Sequence, residues 1–438
     1  MSDKIYDICI IGAGASGLVA AIESSRRGLS CVVVDKNKKA AQKLYATGNG
    51  RCNLTNDNWE ADSYYENEFV DQVFDSLYKI TGMRQRTFVL DYFKNLGITT
   101  VSRDGYFYPA SLQASSVVWA LLEAVRTQGV EIRQKTTCRN VKPTNIADIL
   151  DDIDVSDQRH FDADRIYKLN LEVKNENEIY EDYIYARNII ISTGGIAQSK
   201  LGASSKELSS ELFDSLKLPY NEFRSCLCPV ICSEDDRLSS IAGVRTKARI
   251  YVENHNELGE LMITEDGISG IVTFNMSYYM RAGSRVRVNL LPKTSEDDFV
   301  SHFNNIKTHF PNKRLDSFLN GYINDKLAFY MIGRFYGNPE LKLQLKDVTE
   351  TGIRGLYGEL TEWILTVRTR YDSEHSQASS GGIITDVINP LTMNINRNST
   401  IGDGIYAVGE ATDVIGKCGG YNLSYAFITG YLAGNAVK

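Results

Sequence analysis

The chain is poor in the residues that build metal centres and secreted scaffolds. It has five histidines, eight prolines and three tryptophans in 438 residues. Its eight cysteines do not make a disulfide framework in a chain of that length, so a reduced, cytoplasmic protein is expected. Cys9 and Cys31 sit inside apolar runs and read as small buried hydrophobes. Cys226, Cys228 and Cys232 form a C-x-C-x-x-x-C cluster, but the spacing is not that of a zinc ribbon or finger and no histidine stands near it. Alternate faces of one strand are the expected setting. His302 and His309 share a helical pattern, and packing or exposure is expected there too; no metal site is predicted. No apolar run approaches the roughly 18 residues of a membrane span. The first strand begins within a few residues of the start, which leaves no room for a signal peptide. Positive charge is not in excess. A net charge of −7 argues against general affinity for nucleic acid or anionic membrane and leaves a local basic patch as the route to an RNA partner.

What is present begins at the first residues. Ile5 to Ile11 is a short apolar run, read as a buried parallel strand. Gly12-Ala13-Gly14-Ala15-Ser16-Gly17 follows at once, then a helical pattern from Leu18 to Arg27 and a second apolar run, Ser30 to Val34, ending in Asp35. Strand, glycine turn, helix, strand and acid stand in the order of a dinucleotide-binding unit, with the acid about twenty residues beyond the turn. Gly12 permits the tight turn, Gly14 a close approach of backbone to a pyrophosphate, and Gly17 close packing of helix on sheet. The helix N-terminus offers free N–H groups to the phosphates. Asp35 is suited to accept hydrogen bonds from a ribose diol.

The other chain end separates FAD from NAD. Thr400-Ile-Gly-Asp-Gly-Ile-Tyr406-Ala-Val-Gly-Glu410 resembles the second signature of glutathione-reductase-like flavoproteins, with Glu410 where that signature has Asp. Asp413 and a glycine-rich segment, Gly416 to Gly420, then lead through Tyr421, Asn422 and Leu423 into a terminal helix. In the resembling folds that helix points at the pyrimidine edge of the flavin, where reduced flavin carries negative charge.

Thr47-Gly48-Asn49-Gly50-Arg51-Cys52-Asn53-Leu54-Thr55-Asn56, together with both ends, resembles the HI0933-like flavoprotein family, also grouped as BaiN-type or aminoacetone oxidase-like NAD(P)/FAD-dependent oxidoreductases. Gly105 to Ser111, Ile191 to Gly195, Gly259 to Leu261, Gly267 to Gly270, Ser380 to Ile383 and Asn389 to Met393 are similar to further family segments. After Gly195 the chain departs from the family pattern, lacking its proline, aspartate and histidine, and Thr144 to Arg165 is an acidic insertion expected to be a solvated loop or short helix. The resemblance implies bound FAD and NAD(P)H as a transient electron donor. At the nucleotide end it implies cofactor contacts from Gly12, Gly14, Ala15, Ser16, Gly17, Asp35, Lys36, Lys43 and Val141. Toward the ring it implies Gly48, Gly50, Arg51, Cys52, Asn53, Thr193, Gly194, Gly195, Gly409, Glu410, Asp413, Gly420, Tyr421, Asn422 and Leu423.

The expected architecture is α/β: a glutathione-reductase-like FAD-binding Rossmann domain with an inserted β-barrel domain carrying a helical subdomain. The FAD domain is expected over 1–200 and 374–438, the barrel over 201–293 with its end at 351–373, and the helical piece over 294–350. Leu169 to Val173 and Ile179 to Ile184 alternate like an antiparallel meander, and Arg187 to Ile191 returns to the parallel sheet. Arg245–Val252, 259–264, 270–276, 285–291 and 359–367 are expected strands of the insert. Thr294 and Ser295 before Glu296 and Asp297 mark a helix start, and 315–335 is expected to hold one or two helices.

Three absences narrow the chemistry. There is no second G-x-G-x-x-G, no C-x-x-x-x-C redox pair near the flavin loop and no C-terminal His-Glu base. The insert is therefore expected to cover the flavin and form the substrate cavity. Arg51, Cys52 and Asn53 are the candidate catalytic residues, with Cys52 as proton donor tuned by Arg51 and with water, Tyr421 or the substrate as alternatives. Cys52 and Cys418 are expected as free thiols. Two enzymatic readings follow: reduction of a C=C or C=O bond in a small molecule, or of uridine in ribosomal RNA with Arg245, Lys247, Arg249, Arg281, Arg285 and Arg287 as the basic patch. A non-catalytic flavin redox sensor is the third. With no 2′-phosphate clamp evident, NADH is expected to serve at least as well as NADPH.

Overall fold

A central sheet is ordered Glu131–Arg133, Cys31–Val34, Ile5–Ile11, Ile179–Ile191, Ile166–Lys174, Thr136–Thr144, with Ile405–Ala407 joined to Ile179–Ile191. The computed structural model describes residues 4–59, 63–65, 67–149, 166–175, 178–202, 206–233, 237–338, 342–371, 373–395 and 404–438. The three innermost parallel partners are the apolar runs of the sequence, with Ile8, Ile10, Val32, Val33, Ile189 and Ile190 all fully buried. Parallel strands covered on both faces have to be apolar throughout. Strand Ile179–Ile191 is one element where two were expected. Its first half pairs antiparallel with Ile166–Lys174, and its second half pairs parallel with Ile5–Ile11 and with Ile405–Ala407. That last pairing brings the chain ends together. The helices Ala15–Arg26 and Tyr421–Ala436 then cross closely: a Cβ on Gly430 would stand 2.3 Å from the Ser16 carbonyl oxygen, and one on Gly434 2.7 Å from that of Ala20.

The described residues divide into two compact units, Met1–Arg224 with Ala378–Lys438, and Ser225–Gln377. The first extends past residue 200 because helix Lys206–Ser215 packs on strand Thr136–Thr144, and strand Tyr220–Cys226 pairs with Ala378–Ile383. Most of the acidic insertion lies outside the described residues; Asp148 closes a short 3₁₀ turn, Ile146–Asp148.

In the second unit six strands close a barrel in the order Val230–Cys232, Gly267–Ser269, His255–Ile263, Arg245–Val252, Arg285–Asn289, Trp363–Arg370. Residues 271–276 are a helix, not the expected strand. Gly270 turns the chain at φ +94°, where a Cβ would meet the Glu260 carbonyl oxygen at 2.4 Å, and a short apolar run beyond such a turn fits either period. Residues 359–361 likewise end helix Glu350–Thr361, whose apolar Ile353, Leu356 and Leu360 hold helical spacing, and the last barrel strand starts at Trp363. Cys226 and Cys232 end two different strands, rather than alternating along one. Val230, Ile250, Leu261, Ile268, Val286 and Leu365 of these strands are all fully buried in the core of this unit. His302 Nδ1 meets the Tyr322 hydroxyl at 2.5 Å, and His309 Nδ1 faces the Asn305 carbonyl of its own helix. Among the described residues no group of acids, histidines and cysteines is placed to hold a metal, and no helix is long and apolar enough to cross a membrane.

Candidate functional site

The glycine turn after the first strand is built as its spacing demands. Gly12 sits at φ +111°, and a Cβ there would strike the Ser192 carbonyl oxygen at 2.2 Å; one on Gly17 would strike the Gly12 carbonyl oxygen at 2.1 Å. Gly14 differs. A Cβ on it meets nothing within 4 Å, and it starts helix Ala15–Arg26 with no side-chain cap and no acid in the first turn. The protein itself has no need for glycine there, whereas a ligand lying on the helix end does. Asp35 Oδ2 accepts from the Ala13 N–H at 2.7 Å, and Oδ1 accepts from the Asn37 N–H at 2.7 Å. Burial pushes its carboxyl above the usual range, and the Asn37 and Ala13 donors pull it back. The Asn37 side chain bonds it as well, and the lone-pair direction that remains is what a ribose would use. Burial also lowers the half-buried Lys36 ammonium, against the attraction of Asp35. Val141 stands within strand Thr136–Thr144, with its N–H given to Ser215 Oγ at 3.1 Å.

Ser16 joins this turn to the far chain end. Its hydroxyl lies 2.9 Å from that of Ser192, and a Cβ on Gly409 would meet it at 2.6 Å. Beside them the Glu410 carboxylate binds three segments: Oε2 accepts from Lys43 Nζ at 2.9 Å and from the Gly195 N–H at 3.1 Å, and Oε1 from the Ser379 N–H at 2.7 Å. Gly194 lies against that pair at φ +65°, where a Cβ would be 3.7 Å from Lys43 Nζ and 3.8 Å from Glu410 Oε2. Thr193 Oγ1 donates to the Gly194 carbonyl at 3.4 Å. Asp413 is also a brace, accepting from the Gly381 N–H and from Asn221 Nδ2.

The loop Thr47–Cys52 carries a run of left-handed residues: Gly48, Asn49, Gly50 and Cys52. Cys52 is fully buried, and burial pushes its thiol up to about 12 against a hydrogen bond with Thr47. Burial, not Arg51, sets that direction, which is opposite to the lowering by Arg51 that the sequence suggested. Arg51 is exposed and makes no side-chain ion pair or hydrogen bond among the described residues. Tyr421 donates its hydroxyl to the Asn58 carbonyl, so it is no free acid. All eight cysteines are free thiols.

The C-terminal helix, Tyr421–Ala436, starts on Gly420 with no side-chain cap and no acid in its first turn. Its entry loop is locked by Asn422, which accepts from the Gly416 N–H at 2.8 Å and donates to the Gly416 carbonyl at 2.9 Å. Against it lies the segment 53–56. A Cβ on Gly420 would stand 3.0 Å from Asn53 Oδ1, and Asn56 Nδ2 donates to the Gly419 carbonyl at 2.6 Å. Asn53 Oδ1, Thr55 Oγ1 and Asn56 Oδ1 are buried with no hydrogen-bond partner among the described residues. Three unmet polar atoms beside an uncapped helix end are costly in an unliganded protein. A heteroaromatic ring edge with donors and acceptors would satisfy them, and a flavin fits. Thr55, Asn56 and Gly419 lay within recognised motifs without being singled out; Ser379 had no signal, since its role is a backbone N–H.

The HI0933-like protein Rossmann domain model matches residues 6–436. A 3-dehydro-bile acid delta(4,6)-reductase of Clostridium scindens is 30% identical over 98% of this chain and 98% of its own. Ribosomal RNA dihydrouridine synthases of Escherichia coli and Haemophilus influenzae are 24% and 25% identical over 96% of this chain and 95% and 96% of theirs. The class is that of flavin-dependent oxidoreductases on a Rossmann-like fold. The chain belongs to the HI0933-like family.

Proposed function

We propose that this protein uses FAD, reduced by NAD(P)H, to reduce a carbon–carbon double bond conjugated to a carbonyl in a small molecule. The observation that carries the reading is the end-to-end match to the bile acid reductase. FAD supplies the two-electron chemistry when bound. The uncapped start of helix Ala15–Arg26 under Gly14 would take the pyrophosphate, Asp35 the ribose, and Asn53, Thr55 and Asn56 the polar ring edge. The N-terminus of helix Tyr421–Ala436 would favour negative charge on the ring by about 0.3–1 kcal/mol, and up to ~2 when buried.

The two RNA-modifying relatives support a second reading, reduction of uridine in RNA. Of the expected basic patch, Arg245 pairs with Glu260 and Arg287 with Glu362, while Arg249 and Arg281 bond only neutral oxygens, so two of its six charges are met by carboxylates. The test is anaerobic reduction of the purified yellow protein by NADH and NADPH, then reoxidation by a steroid dienone or by an unmodified ribosomal RNA transcript. Rapid reoxidation by the dienone alone is expected. Reoxidation by RNA alone overturns the small-molecule reading, and failure with both overturns double-bond reduction.

A further inference from the structure

Strands Thr100–Arg103 and Tyr106–Pro109 form a hairpin in which Val101 lies opposite Tyr108 and Arg103 opposite Tyr106. Paired and alternate residues share a face. Val101, Arg103, Tyr106 and Tyr108 therefore stand together on one side of the hairpin. Both tyrosines are half-buried, and neither hydroxyl has a hydrogen-bond partner among the described residues. The face abuts both glycine loops. A Cβ on Gly48 would stand 3.7 Å from Tyr108 Cε1, and one on Gly419 would stand 3.0 Å from Tyr106 Cε1. Arg51 and Arg103 both act on the Tyr108 hydroxyl, with the Asp104 carboxylate of the hairpin turn opposing them. Neither guanidinium makes an ion pair among the described residues, so two cations face one anion.

We propose that Arg51, Arg103 and Tyr108 form an oxyanion-binding subsite that receives the carbonyl oxygen of a planar conjugated substrate. Burial raises the Tyr108 hydroxyl, which keeps it protonated and able to donate. The identity of the oxyanion rests on the double-bond reductase reading. Hydride from the reduced flavin, itself reduced by NAD(P)H, forms a C–H bond at the carbon β to the carbonyl. The C=C π pair moves to the bond between α-carbon and carbonyl carbon, and the carbonyl π pair moves onto oxygen. That enolate oxygen is where the two guanidiniums and the phenol would hold charge. A proton from water then completes the α-carbon, and the flavin is left oxidised.

Pentafluorophenol, ionised at neutral pH, offers the same planar ring and oxyanion without any reaction. It is titrated calorimetrically into the flavin-loaded protein. Saturable binding is expected, weakened about tenfold by R51Q and by R103Q, as for hydrogen bonds to a charged group. The double variant should lose binding, Y108F should weaken it several-fold, and Y106F should leave it within twofold. Flavin absorbance reports whether each variant keeps its cofactor; if R51Q loses it, R103Q alone decides the outcome. No binding to the wild type, or equal binding by R103Q, overturns the subsite. A wild type that reduces a dienone but binds no phenolate overturns the subsite alone, whereas one that binds phenolate but reduces nothing leaves the subsite standing without the reductase.

Discussion

The two units handle their polar groups in opposite ways. In the insert the three longest helices begin on side-chain caps: Ser295 accepts from the Asp298 N–H, Asn324 from Lys326 and Thr349 from Gly352, each with acid in the first turn. Aliphatic residues of its barrel strands are buried in one core. In the Rossmann unit the first and last helices begin on Gly14 and Gly420, uncapped and without acid, and buried oxygens of Asn53, Thr55 and Asn56 go unmet. Helices Gln85–Asn95 and Ala114–Thr127 of that unit are uncapped as well, and the insert leaves Trp363 Nε1 unmet among the described residues. The mark of a place for a ligand is therefore the cluster of three unmet oxygens beside Gly420 together with the open space at Gly14.

The contrast breaks first at Gly14. Gly14→Val has room in the protein and extended backbone at φ −86°, so it should fold and yet lose flavin, giving colourless protein with a melting temperature close to that of the flavin-free wild type. Full flavin absorbance in that variant would place the cofactor elsewhere. Phe303→Ala in the insert is expected to do the reverse. It removes a fully buried ring, costing about 3–5 kcal/mol in denaturant unfolding, while flavin per folded protein stays constant.

Alkaline pH sharpens the comparison. Burial pushes the Cys31, Cys52 and Cys138 thiols of the Rossmann unit up to about 12, from an ordinary value of 9.0. Raised folded values mean that the stability these thiols contribute is complete below pH 9 and is lost as pH climbs toward 12. Each should steepen the fall by about 1.4 kcal/mol per pH unit within that window. Unfolding followed against pH in the wild type and in Cys138→Ala checks it: the variant's decline should be shallower by one thiol. The smallest effect belongs to the caps. Ser295→Ala and Thr349→Ala should each cost about 1 kcal/mol, read by thermal unfolding, with flavin content untouched.

The N-terminal unit was legible because its signals are local. Glycine spacing, two apolar strands and Asp35 lie within one βαβ stretch, and each residue's reason is steric or electrostatic over a few neighbours. The helical start at Ser295 was legible for the same reason. The helix at Ile271–Met276 was not, because six apolar and small polar residues fit either period until Gly270 sets the direction of the chain. The burial of Cys52 was not legible either: its neighbours in sequence, Arg51 and the glycines, suggest a thiol tuned by Arg51, and burial is a property of everything packed around it.

The sequence by itself determined the class of the protein and the glycines of its nucleotide turn, since each of those signals is a motif of residues close together in the chain. Only the tertiary structure decided that Glu410 ties Lys43, Gly195 and Ser379 together, that Asn53, Thr55 and Asn56 stand unmet beside Gly420, and that Tyr108 and Arg103 share a face near Arg51. These are relations between residues far apart in the chain. Hydrogen bonding and desolvation act over a few ångströms of space, whatever the separation in sequence.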